Sequence, residues 1–542
     1  MLLLAHAFVP THQFVQRGDD AFYYFKIAQN FPRYGFMTFD GIHATDGVQP
    51  LWAIILCALA YPLQWLGIRD PDTVARFFVA ITALTHAASC IVLFHLLART
   101  VSTAVAIAAA GALLFPLDIV WSRVWGMENS LYALMLVLTV SYYHLRFLPR
   151  PQNRGALILG CLLGLTALSR LNAGLFVACL LVHLLFCRTI PRSHRWRFAA
   201  LAALATGVVV LPYFAASAAS TGRWTPISGA VKRVLADQYL EKQGIERRVS
   251  VDFIKLAGTQ AKNAGSYFVT SRAGDALWLL GYRAIHDGAV RWRTLLSILF
   301  AILIIPVLVS RNLGWFAILR ERFARLRPFG YVLAFGLADA TVSIFLFPNQ
   351  TGYAMTRWWF ANNEIITVVI VATLTGTFGA YLAANFLSRR RSMALALVWI
   401  AGLSLFHNQE MLRFYFRDTI EYRDWNLSYN DEPYGAARWA AQNLPADATI
   451  GSWNAGLLGH YARQRVVNLD GLVNDSTLVP YIKDKQISKY ILLNRIQYIS
   501  DIDFEIRKQD VRRQLQLTPV YSHYSKFMQQ PFYIYRVDGR RS

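Results

Sequence analysis

Seven apolar runs follow one another along the first part of the chain, at about 49–68, 73–97, 103–120, 129–147, 155–169, 172–187 and 198–219. Four more come later, at about 294–310, 329–347, 364–386 and 393–407. So many runs of this length exceed what a water-soluble core holds. A bilayer accepts them as helices, which satisfy every backbone donor and acceptor internally. Charged residues make up only 16% of the 542-residue chain, below the quarter usual in soluble domains. The pattern predicts a polytopic α-helical membrane protein with about 11–13 transmembrane helices. Met1 to Gln16 is apolar but short of a full span. It lacks a basic leading segment, so it reads as a first membrane helix, shortened by a late start, rather than as a signal peptide. The runs 155–169 and 172–187 are also short. They flank Ser169-Arg170-Leu171-Asn172, which implies a tight hairpin or broken helices.

Basic residues orient the chain. Arg146, Arg150 and Arg154 form one cluster, and Arg188, Arg192, Arg195 and Arg197 a second. Arg311 to Arg327 carries five arginines, and Arg389-Arg390-Arg391 closes the series. With all four in the cytoplasm, 220–293, 348–363 and everything after about 408 lie outside. An odd number of crossings after the first polar loop contradicts that C-terminus, so one segment between 49 and 128 is expected to be re-entrant or interfacial. The net charge of +22 fits cytoplasmic loops and a surface near anionic lipid or phosphate. No nucleic-acid motif competes with that reading. The five cysteines, Cys57, Cys90, Cys161, Cys179 and Cys187, all fall in apolar runs without metal spacing, and read as helix-packing residues.

Chemistry concentrates in the polar stretch from Arg17 to Trp52, RGDDAFYYFKIAQNFPRYGFMTFDGIHATDGVQPLW. Adjacent carboxylates at Asp19 and Asp20 repel, which raises one pKa toward that of a general base, or they share a cation. The alternative is a pair that caps the helix after it. Glu128, in WGMENSLY, stands at the mouth of a span, where it is either functional or a charge favoured by the helix dipole. Arg170 interrupts an apolar stretch and must snorkel, pair or line a polar cavity.

The acidic pair, the aromatic helix from Ala21 to Phe31, then Gly35, Asp40-Gly41, Asp46-Gly47 and Gln49-Pro50-Leu51-Trp52, resemble the first external loop of the GT-C glycosyltransferases. That superfamily includes protein mannosyltransferases, aminoarabinose transferases and arabinofuranosyltransferases. Gly126-Met127-Glu128 is similar to related sequences. So is the run from Gly222 through Pro226 and Ser228 to Lys232-Arg233, which opens the segment 220–293. The resemblance implies a sugar donor linked to a polyprenyl phosphate, an acidic residue of the first loop as base or metal ligand, and inversion at the anomeric carbon. Asp20 is then the base. Asp19 or Glu128 orients it, or Asp19 and Asp20 hold a divalent metal (Mg, Mn or Ca). Lys232, Arg357 and Arg170 meet the donor phosphate; a solvated basic loop and an interfacial aromatic belt at Trp358-Trp359 are the alternatives at the first two.

After about 408 helix-like and strand-like pieces alternate, which predicts an external α/β domain. Glu432–Asn443 reads as a helix; 448–453, 465–469, 496–502 and 532–537 read as strands. Gly451 to Asp475 resembles a stretch of external domains in related bacterial membrane glycosyltransferases, with Asn468, Asp470 and Asn474 either binding acceptor or serving glycine-flanked turns. The expected division is a GT-C-like membrane domain, 1–407, with external loops 17–48 and 220–293, and an external (periplasmic) domain, 408–542. The implied activity is sugar transfer from a polyprenyl-phosphate donor to a glycan, lipid or protein acceptor, in a bacterial inner membrane, with the site facing the periplasm. A flippase of lipid-linked sugars or a non-catalytic envelope-assembly subunit would share the spans and basic residues.

Overall fold

The structure, a computed structural model, describes residues 2–541 except 6, 10, 16–17, 116–119, 121–122, 246–249, 263–314, 350–360, 387–430, 509–510 and 526–528. The expected spans at 294–310 and 393–407 therefore lie outside the described residues.

Met1–Gln16 does not form one membrane helix. Two four-residue turns, Leu2–Ala5 and Thr11–Phe14, stand in its place. Pro10 separates them in sequence, and a proline interrupts helical hydrogen bonding. Arg76 ties this stretch down by donating to the carbonyl of Ala7 at 2.9 Å.

Helix α1, Asp19–Tyr34, follows with both aspartates in its first turn, where the helix dipole favours them. Gly35 ends it in the left-handed conformation, φ +79°, which glycine adopts without steric cost. Then come α2 (Pro50–Trp65), α3 (Pro71–Thr100), α4 (Thr103–Leu114), α5 (Asn129–Tyr142), α6 (Asn153–Ser169), α7 (Gly174–Phe186), α8 (Arg192–Thr221) and α9 (Ile227–Lys242). Beyond them lie α10 (Trp315–Leu326), α11 (Gly330–Leu346) and α12 (Ala361–Phe386). Among the described residues, four helices are long and apolar enough to cross a bilayer: Pro71–Thr100, Arg192–Thr221, Trp315–Leu346 and Asn363–Tyr381. Four shorter apolar helices accompany them, including Pro50–Trp65 and Thr103–Leu114 in the region where the crossing count fails.

The short runs around Arg170 are broken helices. Arg170 is extended (φ −159°, ψ 118°), and a single 3-10 turn, Leu171–Ala173, restarts the chain into α7. Arginines of the 311–327 cluster cap a neighbour: Arg325 donates to the carbonyl of Val101, just past α3, at 3.0 Å. A cation there complements the negative end of the helix dipole.

The C-terminal part carries α13 (Asp431–Asn443), β1 (Thr449–Ser452), α14 (Ala455–Tyr461), β2 (Arg465–Asn468), β3 (Tyr498–Ile502), β4 (Leu515–Ser525) and β5 (Gln530–Arg540). Their order across the sheet is β2-β1-β3-β5-β4. Strand β1 pairs in parallel with β2 and β3, whereas β5 runs antiparallel to β3 and β4. The segment read as closing the sheet, 532–537, is thus interior, and β4 takes the edge. The sequence signal for β4 is weak: its residues are mostly exposed or half-buried, and Pro519 interrupts it beside a bulge. Edge strands tolerate such a proline.

Aromatic residues of α1 bind the two parts together. Phe22 lies 5.4 Å from His460 and 5.8 Å from Tyr461 of α14, ring to ring. Burying each such ring contributes about 1.5–3 kcal/mol. A Cβ on Gly459 would meet Phe39 at 2.4 Å, so only glycine admits this approach of α14 to the first loop.

Candidate active site

A helix turns about 100° per residue, so Asp19 and Asp20 look in different directions, each stacked below the tyrosine four positions on. Asp19 and Tyr23 face the C-terminal part. Asp19 Oδ1 accepts the N–H of Leu457 at 2.7 Å and its Oδ2 that of Gly456 at 3.0 Å. Tyr23 donates toward the Trp453 carbonyl (3.3 Å) and Asp470 Oδ2 (3.4 Å), and accepts from Ala455 N–H at 3.2 Å. Asp501 on β3 holds the same turn by accepting the N–H groups of Trp453 (2.9 Å) and Asn454 (3.0 Å).

Asp20 and Tyr24 face the membrane part. Tyr24 donates to Glu128 Oε2 at 2.9 Å and accepts the N–H of Gln49 at 2.9 Å. Glu128 itself is buried. Lys232, on α9, shares a field with Asp20, Arg170, Glu128 and Asp470. Asp46 places α9, because its Oδ1 accepts the N–H of Ile227 at 2.8 Å and its Oδ2 the hydroxyl of Ser217. Arg170 donates to Asn129 Oδ1 at 3.2 Å, with its guanidinium 5.7 Å from the centre of the Tyr132 ring.

Burial is the main influence on the titration of this cluster. It pushes Asp19 up to about 7 against its two amide hydrogen bonds, with Asp20 adding to the rise. It pushes Asp470 up to about 8, again with Asp19 and Asp20 contributing. Asp20 is also raised by burial, opposed by Lys232 and reinforced by Glu128. Burial lowers Lys232, and the nearby Asp20 resists that shift.

The fold therefore brings Asp19, Asp20, Glu128, Arg170, Lys232 and Asp470 together, while Arg233 is exposed and Arg357 lies outside the described residues. Two expectations change. Asn468 is 1% exposed, accepts from Gly471 N–H at 2.9 Å and donates to Tyr23 at 3.3 Å, so it builds the turn and does not reach an acceptor. Asn474 is similarly buried and donates to the Asn468 carbonyl at 2.6 Å. Each Asp19 carboxylate oxygen accepts one amide N–H, which ties this residue to the first turn of α14. No group of three His, Cys, Asp or Glu side chains among the described residues converges as an ion site. Sequence reasoning missed Tyr23, Tyr24 and Asp46; the i+4 spacing of the tyrosines from the aspartates was the available signal.

Two ArnT structures from Cupriavidus metallidurans share this fold. The one bound to undecaprenyl phosphate has a TM-score of 0.52 at 13% identity, covering 98% of this chain and 97% of that one. The apo form has a TM-score of 0.53 at 12% identity, with the same coverage. The oligosaccharyltransferase AglB from Archaeoglobus fulgidus also matches, with a TM-score of 0.46 at 13% identity over 98% of this chain and 73% of that one. No curated protein matches in sequence. With four helices among the described residues long and apolar enough to cross a bilayer, the chain is a multi-pass membrane protein with the fold of ArnT. Within it, residues 64–215 match the family model described as dolichyl-phosphate-mannose-protein mannosyltransferase. Residues 420–536 match a domain of unknown function (DUF8728).

Proposed function

We propose that this chain transfers a sugar from a polyprenyl-phosphate-linked donor to a cell-envelope acceptor (glycan, lipid or protein), with inversion, on the outer face of a bacterial inner membrane. The observation that carries the reading is the acidic face of α1, where Tyr24, four positions on from Asp20, donates to buried Glu128 at 2.9 Å, with the charge of Lys232 opposing the upward shift of Asp20. Asp20 takes the proton from the acceptor hydroxyl. The acceptor oxygen bonds to the anomeric carbon as the bond from that carbon to the phosphate oxygen breaks, and polyprenyl phosphate leaves. Lys232, with Arg170 and Arg357, stabilises the charge gathering on the phosphate. Glu128, held by Tyr24, orients this face of α1 toward Lys232. Asp19 positions α1 against the external domain, and Asp470 meets the acceptor hydroxyl. The division in this reading is a membrane domain, 1–407, and an external domain, 408–542. ArnT has been captured with undecaprenyl phosphate, which accords with a donor of this class.

The test is sugar transfer by the purified protein in nanodiscs, from a panel of radiolabelled polyprenyl-phosphate sugars to envelope extract. The wild type should transfer one of them, and Asp20→Asn should abolish transfer while retaining donor binding. An Asp20→Asn enzyme as active as the wild type would refute the base. Donor binding without transfer across the panel would refute the reaction.

A further inference from the structure

Arg170 stands at one corner of a ring of polar contacts that closes through four separate segments. Its Nη1 donates to Asn129 Oδ1 at 3.2 Å. The Asn129 carbonyl accepts from Arg123 Nη1 at 3.0 Å, and Arg123 Nε donates to Glu364 Oε2, also at 3.0 Å. Asn363, beside Glu364 on α12, donates to the Gly336 carbonyl of α11 at 3.4 Å. A Cβ on Gly336 would lie 2.3 Å from Asn363 Oδ1, so a larger residue there would displace the Asn363 side chain. One turn along α11, Asp339 accepts from Asn172 Nδ2 at 2.8 Å. Asn172 is two residues from Arg170, in the break between α6 and α7, and the ring is closed. Leu171 N–H donates to Gln49 Oε1 at 3.0 Å, which fastens the break to the first external loop.

Arg123, Glu364, Asp339 and Arg170 are all buried. Charges within membrane helices are costly to desolvate and stay where geometry depends on them. We infer that Asp339 and Glu364 are positioning residues, which act through this ring to hold the Arg170 guanidinium where it meets the donor phosphate. Asp339 fixes the helix break from which Arg170 projects. Glu364 fixes Arg123, which in turn holds the backbone of Asn129, the residue whose side chain Arg170 uses. The alternative is interhelical glue. Glue would stabilise the bundle without passing through Arg170, and that difference can be measured.

This inference rests on the reading of Arg170 as a phosphate contact. The experiment measures binding of undecaprenyl phosphate to the full chain in nanodiscs, with undecaprenol as the phosphate-free control. Arg170→Ala should weaken binding by roughly thirtyfold or more, the loss typical of truncating one partner of a buried charge-assisted contact. Asp339→Leu should weaken it by a similar factor, whereas Asp339→Asn, which keeps an oxygen for Asn172, restores it. The double variant Arg170→Ala/Asp339→Leu should bind no more weakly than Arg170→Ala alone, because two residues acting through one contact are not additive. Should Asp339→Leu fail to fold, Asn172→Ala removes the same contact from the other side. Wild-type affinity in Asp339→Leu or in Arg170→Ala, or losses that multiply in the double variant, overturns the inference. A wild-type protein that does not prefer undecaprenyl phosphate to undecaprenol overturns the donor reading itself.

Discussion

The carboxylate of Asp19 accepts the backbone N–H of Leu457 at 2.7 Å, across 438 positions of sequence. Its neighbour Asp20 is influenced instead by the charges of Lys232 and Glu128. Two side chains adjacent in the sequence thus divide the work between joining the C-terminal part to the membrane helices and lining the proposed reaction site.

The joint should be intolerant of added volume. A Cβ at residue 456 would lie 2.2 Å from the Asp19 carbonyl oxygen and 2.9 Å from Asp19 Oδ2. Gly456→Ala should therefore destabilise the protein by about 1–3 kcal/mol, the usual cost of overpacking. It should also lower transfer by shifting α1. Thermal unfolding in detergent checks the first effect; an unchanged midpoint would mean that the joint is looser than the distances imply.

Stability should fall as pH rises toward neutrality. Burial raises Asp470 from 3.8 to about 8 and Asp19 from 3.8 to about 7, so the folded state holds these protons more tightly than the unfolded chain. Their stabilising contribution is complete below about pH 4 and is lost progressively through about pH 7–8. Asp470→Asn stays neutral and keeps an oxygen for the N–H of Leu472. It should flatten this part of the melting-temperature profile, and an undiminished slope would exclude Asp470 as its source.

Transfer should show a bell-shaped pH profile. The acid limb rises as Asp20, shifted upward by burial, loses its proton. The basic limb falls as Lys232, lowered from 10.5 by burial, loses its charge. Lys232→Arg keeps its charge past about pH 12, so it should move the basic limb upward and leave the acid limb in place. If the basic limb stays where it was, some other group sets it.

Tyr24→Phe tests the second face of α1. It removes the hydroxyl between Glu128 and the N–H of Gln49 and leaves buried Glu128 without that donor, a loss of about 1–3 kcal/mol. Transfer should drop more than donor affinity if Glu128 orients the proposed site. Comparison of kcat with KM distinguishes this from a loss of donor binding.

Much of this protein is legible in its local patterns. Apolar runs longer than a soluble core needs require membrane helices whatever their neighbours. The acidic pair before an aromatic helix marks the first loop, and the short β-branched runs at 449–452, 465–468 and 498–502 appear as β1, β2 and β3. These features depend on the 3.6-residue and two-residue periods of the backbone, which operate within a few positions. Partner choice does not. Asp19 meets Gly456, Tyr24 meets Glu128 and Asp339 meets Asn172 only once the helices have packed. Each pairing joins residues far apart in sequence, and no periodicity encodes it. Aspartates adjacent in the sequence come to lie on different faces of one helix, and the packing around α1 decides that Asp19 is bound to the first turn of α14.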